Sequence, residues 1–317
     1  MQLRQLGQTH LRVTPVAMGC WPISGITSLD VNPADSLATL REAFDQGINF
    51  FDTAHSYGNS ESLLAQSLGD HCKQIVIATK GGLARQDGRQ YHAGSPSALH
   101  EQCRNSLKQL RREQIDLFYL HAPDPAVPIT ESAGAIADLI SAGLVTAAGA
   151  SNLSLQQLQQ FHAVCPLTAI QPPYNLLQRE IETDILPWCQ LNHISACVYW
   201  PLLKGLLAGQ IPRDHIFPTA DGRQKYPMFQ GQEWQRNNDF LDELRPIASR
   251  LNISLATLAV AWTIHQPGIT AALCGAKRSW QIQQSAVAGT IQLSSDVLAD
   301  IDSALARRGP ALTRTAV

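Results

Sequence analysis

Short runs of apolar, β-prone residues recur along the chain and are separated by segments of helical periodicity. We predict eight strands from these runs, at residues 13–19, 48–53, 75–80, 115–121, 144–151, 167–171, 194–199 and 269–275. The runs are continuously apolar, as expected when helices cover both faces of a parallel sheet. A typical intervening segment begins at Ser95-Pro96 and places Leu99, Cys103 and Leu107 at the spacing of a helix.

Alternating strands and helices are compatible with an open doubly wound sheet and with a closed (β/α)₈ barrel. Eight repeats in roughly 250 residues or more match the barrel. No G-x-G-x-x-G motif follows the first strands, which argues against the open dinucleotide-binding sheet. No linker or low-complexity tract divides the chain, so we expect residues 1–317 to form a single α/β domain, a TIM barrel.

One long region, residues 210–235, has no clear periodicity and contains several prolines and glycines. Long loops in compact domains tend to be lids or binding loops. We therefore predict a functional loop over the C-terminal mouth of the barrel. The alternative is a mobile insertion without a function.

Composition argues against several classes of protein. The 24 Lys and Arg residues are balanced by 26 Asp and Glu residues, so the chain has no basic excess to bind nucleic acid or an anionic membrane. Its seven cysteines form no C-x-x-C pair, which predicts neither a disulfide framework nor a metal centre. The first residues lack the apolar region of a signal peptide, and no apolar run approaches ~20 residues. We expect a cytoplasmic, globular protein.

Polar residues stand at the ends of six successive predicted strands. Asp52, Lys80 and His121 end the second, third and fourth strands. The next three end at Ser151 with Asn152, at Gln171 and at Tyr199. In a (β/α)₈ barrel the C-terminal strand ends surround the active site. We therefore expect these side chains to meet around one mouth.

These residue types suit proton transfer to a carbonyl oxygen. A buried Lys80 needs a counter-charge, and Asp52 is the natural partner. A charged lysine beside Tyr57 would lower the pKa of the phenol from its usual ~10, and a neutral His121 would hold the carbonyl oxygen. Each residue alone also has a structural interpretation, as a helix cap, a half-buried aromatic or a core histidine.

The sequence contains no recognisable protein nucleophile. The G-x-S-x-G, P-loop and H-E-x-x-H motifs are all absent from the sequence. We therefore expect a cofactor to supply the missing reactant, and hydride delivered to a polarised carbonyl fits the groups available.

Residues 47–61, with the sequence GINFFDTAHSYGNSE, resemble the signature of the aldo-keto reductase superfamily. The resemblance continues through residues 77–80, 116–121, 149–152, 171–175, 199–202 and 275–277. It implies a (β/α)₈ barrel that binds NADP(H) across its mouth and reduces an aldehyde or ketone of a small molecule to an alcohol. The family's catalytic tetrad falls on Asp52, Tyr57, Lys80 and His121.

The same resemblance implies a set of cofactor contacts. Ser151, Asn152 and Gln171 would hold the nicotinamide carboxamide, and Tyr199 would stack on its ring. The other implied contacts are Gly19, Cys20, Trp21 and Asp52 beside the nicotinamide, Trp200, Pro201, Leu202, Lys204, Gly205 and Leu206 around the pyrophosphate, and Gly275, Ala276, Lys277, Arg278, Gln281, Gln284 and Ser285 at the adenosine end.

Departures from the family pattern lie at the adenosine end. Cys274 stands where the family usually has Pro, and Gln284-Ser285 stand where it usually has Glu-Asn. Lys277 and Arg278 keep positive charge suited to a 2′-phosphate, which favours NADP over NAD. The alternative is that these two cations only begin a solvated helix.

Two other functions remain open at this point. Barrels that resemble this family serve as β-subunits of potassium channels, where the cofactor is a redox sensor. A Schiff base on Lys80 would instead give a lyase, although a neighbouring carboxylate favours a protonated, non-nucleophilic amine. Candidates for the substrate pocket are Trp21, His55, Trp200, Tyr226, Phe229 and Trp234, which alternatively only pack the lid.

Overall fold

A short N-terminal hairpin closes one end of the molecule. The computed structural model describes residues 1–26 and 30–312. Its first strands, β1 (Arg4–Gln5) and β2 (Arg12–Val13), pair in antiparallel fashion. Leu6, Leu11 and Val13 of this hairpin are buried in the cluster that fills the inside of the following sheet.

The following strands form a closed ring with one additional arm. They are β3 (Val16–Gly19), β4 (Phe50–Asp52), β5 (Val76–Gln86), β6 (Arg89–Ala93), β7 (Ile115–Leu120), β8 (Val145–Ser151), β9 (Leu167–Gln171), β10 (Ser195–Tyr199) and β11 (Ile269–Gly275). All except β6 are parallel, and β4 pairs with both β3 and β5, so the eight strands close into a barrel. The predicted eight-stranded (β/α)₈ barrel is confirmed.

Ten helices surround the ring within the described residues. They are α1 (Pro33–Asp45), α2 (Ser60–Leu68), α3 (Pro96–Leu110), α4 (Ile129–Ser141), α5 (Leu155–Val164), α6 (Ile185–Leu191), α7 (Gly231–Arg250), α8 (Leu255–His265), α9 (Ser279–Ala288) and α10 (Ser295–Arg308). Several begin at a side chain that accepts a backbone N–H of the first turn, including Ser95 for α3 and Ser154 for α5. No individual helix in these residues is both long and apolar enough to cross a membrane. Only α7 and α8 taken together have the length and composition for it, and they are bent by 89° relative to each other.

The interior of the barrel holds a large aromatic side chain. Tyr119 of β7 points into the inner cluster and is fully buried. Gly149 on the neighbouring strand β8 lies against it, and a Cβ atom at that position would overlap the tyrosine ring. The glycine therefore makes room for a residue that packs beneath the polar mouth.

Two segments differ from the sequence prediction. β5 continues beyond Lys80 and forms an unpredicted hairpin with β6. The turn is Asp87-Gly88, and both residues have positive φ, as the favoured two-residue hairpin turns require. The predicted 210–235 loop ends earlier than expected, because α7 begins at Gly231 and the buried Trp234 anchors its first turn.

Candidate active site

A buried ion pair lies where β4 and β5 open into the C-terminal mouth. Lys80 Nζ donates to Asp52 Oδ1 at 2.5 Å and to the carbonyl oxygen of Thr53 at 2.8 Å. The other carboxylate oxygen, Asp52 Oδ2, accepts from Gln171 Nε2 at 2.8 Å. The expected pairing of Lys80 with Asp52 is present, and both oxygens of the carboxylate have a donor.

Each charge of this pair depends on the other. Burial raises the pKa of Asp52 and lowers the pKa of Lys80, and in each case the charge of the partner opposes the shift. Two opposite charges at contact distance compensate much of the cost of removing each from water. Loss of either one would leave an isolated charge in the barrel.

Tyr57 packs beside the ion pair, in the loop between β4 and α2. Lys80 Nζ is 5.0 Å from the centroid of the tyrosine ring. The ring also makes edge contacts with Trp21, at 4.7 Å between centroids, and with His121, at 5.5 Å. Two members of the predicted tetrad, Lys80 and His121, therefore flank Tyr57, and the fourth, Asp52, is bound to Lys80.

The expected lowering of the Tyr57 pKa is wrong for this arrangement. Burial raises the pKa of Tyr57 well above 10, and the negative charge of Asp52 adds to the shift. The reason is that Asp52 neutralises Lys80 at contact distance, so the phenol faces an ion pair and not an isolated cation. At neutral pH the phenol therefore keeps its proton.

His121 follows β7 and lies on the other side of Tyr57. Burial, with a contribution from Lys80, lowers the pKa of His121 well below 6.5, so the imidazole is neutral. Its Nδ1 atom is 3.4 Å from the hydroxyl oxygen of Ser56, which is also buried. Our sequence prediction missed Ser56, although its position directly before Tyr57 was a signal.

We expect the neutral state of His121 to make the fold sensitive to acid. Its folded-state pKa lies below the ordinary 6.5, so between these two values the unfolded chain binds more protons. The resulting stability is complete above pH 6.5 and decreases as the pH falls. His121→Gln should therefore flatten the decrease of the urea midpoint between pH ~6.5 and ~5. His10→Gln, at an exposed position, is the control, and identical slopes for wild type and His121→Gln would contradict the expectation.

The polar ends of β8, β9 and β10 form one network with His121. Asn152 Nδ2 donates to the His121 carbonyl at 2.9 Å and to Ser151 Oγ at 3.0 Å. The Tyr199 hydroxyl donates to Asn152 Oδ1 at 2.8 Å, and Ser151 Oγ donates to the Gln171 carbonyl at 2.8 Å. The six strand ends that the sequence singled out therefore meet at one mouth.

The loop after β10 has an unusual backbone. Trp200, Leu203 and Lys204 have φ values of 59°, 44° and 56°, a region that residues with a Cβ rarely adopt. Gly205 follows with φ of 92°, and no atom lies within 4 Å of the position that its Cβ would occupy. Pro201 and Leu206 are buried beneath the loop. The residues Trp200–Leu206 thus form a backbone cradle that is open at Gly205.

Lys204 links this cradle to the 210–235 segment. Its Nζ atom is 4.5 Å from the ring centroid of Trp200 and 4.6 Å from that of Tyr226. Phe229 and Trp234, two of the predicted pocket residues, are buried and pack with Phe217. These two therefore hold the segment together, whereas Trp200 and Tyr226 both contact Lys204.

The predicted adenosine end lies where α9 begins. The guanidinium of Arg278 pairs with Asp35 of α1 at 3.2 Å and donates to the Asp30 carbonyl at 2.7 Å. Gln281 Oε1 accepts the backbone N–H groups of residues 277 and 278. Ser285 is buried and donates to the Gln281 carbonyl at 3.2 Å. The side chains of Gln281 and Ser285 are thus engaged in the first turns of the helix.

The ends of β3 and β11 carry four more of the predicted cofactor contacts, Gly19, Cys20, Trp21 and Gly275. Gly19 and Gly275 are paired across β3 and β11, and Cys20 donates its backbone N–H to the Asp52 carbonyl at 2.8 Å. Trp21 stands between Tyr57 and Arg85, whose Cζ is 5.6 Å from the indole ring. Our sequence prediction missed Arg85 because it lies on the unpredicted hairpin.

No cluster of three or more His, Cys, Asp or Glu side chains arranged to hold a metal ion is found in residues 1–26 and 30–312. The described site brings together the phenol of Tyr57, a buried ion pair, a neutral histidine and an open backbone cradle.

Comparison with known proteins identifies the family of this chain. The sequence profile of the aldo/keto reductase family matches residues 15–306. The chain is 34% identical to aldo-keto reductase YhdN of Bacillus subtilis, covering 96% of this chain and 94% of that protein. It is 31% identical to the NADH-specific methylglyoxal reductase of Escherichia coli, covering 95% and 96%. The structure of glycerol dehydrogenase AKR11B4 from Gluconobacter oxydans matches with a TM-score of 0.90 and 32% identity, covering 97% and 96%. The chain therefore belongs to the aldo/keto reductase family of nicotinamide-dependent oxidoreductases.

Proposed function

We propose that this protein reduces the carbonyl group of a small aldehyde or ketone with NADPH, with Tyr57 as the proton donor. The observation that carries the proposal is the buried Asp52–Lys80 pair beside the Tyr57 ring, with a neutral His121 on the other side. A carbonyl oxygen between Tyr57 and His121 would meet two neutral hydrogen-bond donors. Such donors stabilise the negative charge that develops on oxygen when hydride adds to carbon.

The chain offers groups for the nicotinamide and for the pyrophosphate of the cofactor. Ser151, Asn152 and Gln171 would hold the carboxamide, and Tyr199 would stack on the ring. The cradle at Trp200–Leu206 would follow the pyrophosphate, since its backbone is open at Gly205. When bound there, a reduced nicotinamide supplies the hydride.

The ion pair explains how Tyr57 gives up its proton. The alkoxide that forms on the substrate is a stronger base than a phenolate, so even a phenol of raised pKa protonates it. The phenolate that remains is close to the Lys80 ammonium, which stabilises it. Asp52 keeps that lysine charged in its buried site.

Ser56 would determine which nitrogen of His121 carries the proton. A neutral imidazole donates from one nitrogen and accepts at the other. If the Ser56 hydroxyl donates to Nδ1, the proton resides on Nε2, where it can be donated to the substrate oxygen. Among the described residues, no other acceptor is found for this hydroxyl, and a buried O–H group without one is costly.

The proposed preference for NADPH rests on Lys277 and Arg278. One sequence relative is named as NADH-specific, so relatedness alone leaves the choice open. The Arg278–Asp35 pair is about one-third exposed, and such pairs contribute only about 0–1 kcal/mol. Exchange of Asp35 for a 2′-phosphate would therefore cost little and gain a more highly charged partner.

Two substitutions with opposite expected effects on the Kd for NADPH test the cofactor preference. We expect the double substitution Lys277→Ala/Arg278→Ala to raise the Kd for NADPH about tenfold or more, and the Kd for NADH by much less. Asp35→Asn should instead lower the Kd for NADPH, because it removes the competing carboxylate. Fluorescence titration with each nucleotide measures both. Equal small changes in the Kd values for NADPH and NADH would contradict the proposed role of these two cations.

Reductase activity is tested by a screen of aldehydes, ketones, sugars and pyridoxal that follows the absorbance of NADPH. Tight retention of the cofactor without turnover of any of them would favour the redox-sensing module instead. The lyase alternative is disfavoured because Lys80 is fully buried and its ammonium is bound to a carboxylate. Failure of borohydride to trap substrate on Lys80 is the expected result.

A further inference from the structure

The β5–β6 hairpin brings a cation to the edge of the proposed substrate site. Arg85 of β5 donates from Nε to the carbonyl of Ser56 at 3.1 Å, so it contacts the residue that directly precedes Tyr57. Its Cζ atom is 5.6 Å from the ring of Trp21, which in turn contacts Tyr57. The guanidinium therefore contacts the backbone directly before Tyr57 and the indole that flanks the phenol.

The acceptors of this guanidinium are all neutral. Besides the Ser56 carbonyl, they are the Gly88 carbonyl at 3.2 Å and Gln90 Oε1 at 3.4 Å. Within the described residues no carboxylate lies within 4.0 Å of Arg85, in contrast to Arg112 and Arg278, which each pair with an aspartate. Three of the five N–H groups of an arginine are used by these acceptors, so two are left for a ligand.

The surroundings make this cation suitable for recognition. A guanidinium is weakly hydrated and binds a planar carboxylate through two parallel hydrogen bonds. The indole of Trp21 fixes its position through a cation–π contact and removes water from one side. Its weakest acceptor in this structure, Gln90 at 3.4 Å, belongs to an exposed side chain that can be displaced.

We propose that Arg85 binds a carboxylate carried by the carbonyl substrate, so that the preferred substrates of this protein are anionic aldehydes or ketones. This inference rests on the proposed reductase function and specifies its substrate class. One guanidinium with two available N–H groups matches the charge and the two oxygens of a carboxylate. Trp21 would then contact the part of the substrate between the carbonyl and the carboxylate.

The test compares 4-carboxybenzaldehyde with its neutral methyl ester. We expect Arg85→Gln to lower kcat/KM for the acid by about tenfold to a hundredfold, the range for loss of hydrogen bonds to a charged group. The kcat/KM for the ester should change less than about threefold. Because each substrate is compared between variants, differences in intrinsic carbonyl reactivity cancel.

Two further variants separate recognition from folding. Arg85→Lys keeps the charge and should retain part of the preference for the acid. Arg89→Gln removes a charge from an exposed position of the same hairpin and should leave both substrates unaffected. Equal losses for acid and ester in Arg85→Gln, or no loss for either, would overturn the proposal.

If the wild-type protein reduces neither aldehyde, that result counts against the reductase function itself. A binding experiment, calorimetric titration with terephthalate, then tests the carboxylate site separately. Weaker binding to Arg85→Gln than to Arg89→Gln supports the proposal, and equal binding overturns it.

Discussion

Tyr57→Phe is expected to lower kcat for aldehyde reduction by about a thousandfold or more, since removal of a positioned proton donor typically costs 10²–10⁴-fold. The ring contacts with Trp21 and His121 do not involve the hydroxyl, so phenylalanine should preserve the packing. Steady-state consumption of NADPH with a generic aldehyde measures the loss.

The same variant should bind NADPH nearly as well as the wild type, which separates loss of chemistry from loss of cofactor. Tyr91→Phe removes a phenol hydroxyl from an exposed residue of β6 and should leave kcat unchanged. Turnover retained in Tyr57→Phe would contradict the assignment of Tyr57 as the acid.

Asp52→Asn should have the largest effect on stability. It leaves the fully buried ammonium of Lys80 without its counter-charge, and breaking a buried pair in this way typically costs about 3–5 kcal/mol. The isolated lysine should then lose its proton in the folded state and regain it on unfolding. The stability of the variant should therefore rise as the pH increases toward ~10, the ordinary pKa of lysine. Urea unfolding at several pH values measures this.

A double variant distinguishes the structural role of the pair from its catalytic role. Asp52→Asn/Lys80→Met removes both charges and should recover most of the lost stability without recovering reduction, because apolar replacements of buried pairs are often tolerated. Asp45→Asn breaks the half-exposed pair with Arg41 and should change stability by at most about 0.5 kcal/mol. A double variant as unstable as Asp52→Asn would show that another interaction of Asp52, such as its bond from Gln171, is responsible.

The barrel and the position of its polar mouth were predictable because both depend on local sequence. Each buried parallel strand is a continuous apolar run, and a polar residue such as Asp52, Lys80 or Gln171 marks its end. The boundary was less accurate at the start of the chain: the first barrel strand was predicted to begin at residue 13, but Val13 belongs to β2, which pairs with β1.

The features that the sequence analysis did not predict depend on contacts between segments that are distant in sequence. Arg278 pairs with Asp35, which is far away in sequence. The charge pattern alone therefore indicated a cation without an ion-pair partner. The direction of the Tyr57 pKa depends on the distance between Lys80 and Asp52, which no sequence spacing gives. The role of Ser56 could not be predicted from the sequence because it depends on the contact with His121. The Asp87-Gly88 turn could not be assigned without the pairing of β5 with β6.

The part of β5 that carries Arg85 extends beyond the eight-strand ring, because residues 82–86 pair with β6 whereas residues 76–81 pair with β4 and β7. β6 pairs with β5 alone, and its residues are mostly exposed. Replacement of its residues therefore leaves the hydrogen bonds that close the barrel intact. On the function proposed above, exchange of this short arm alters which compounds the protein accepts and leaves the groups proposed for proton and hydride transfer unchanged.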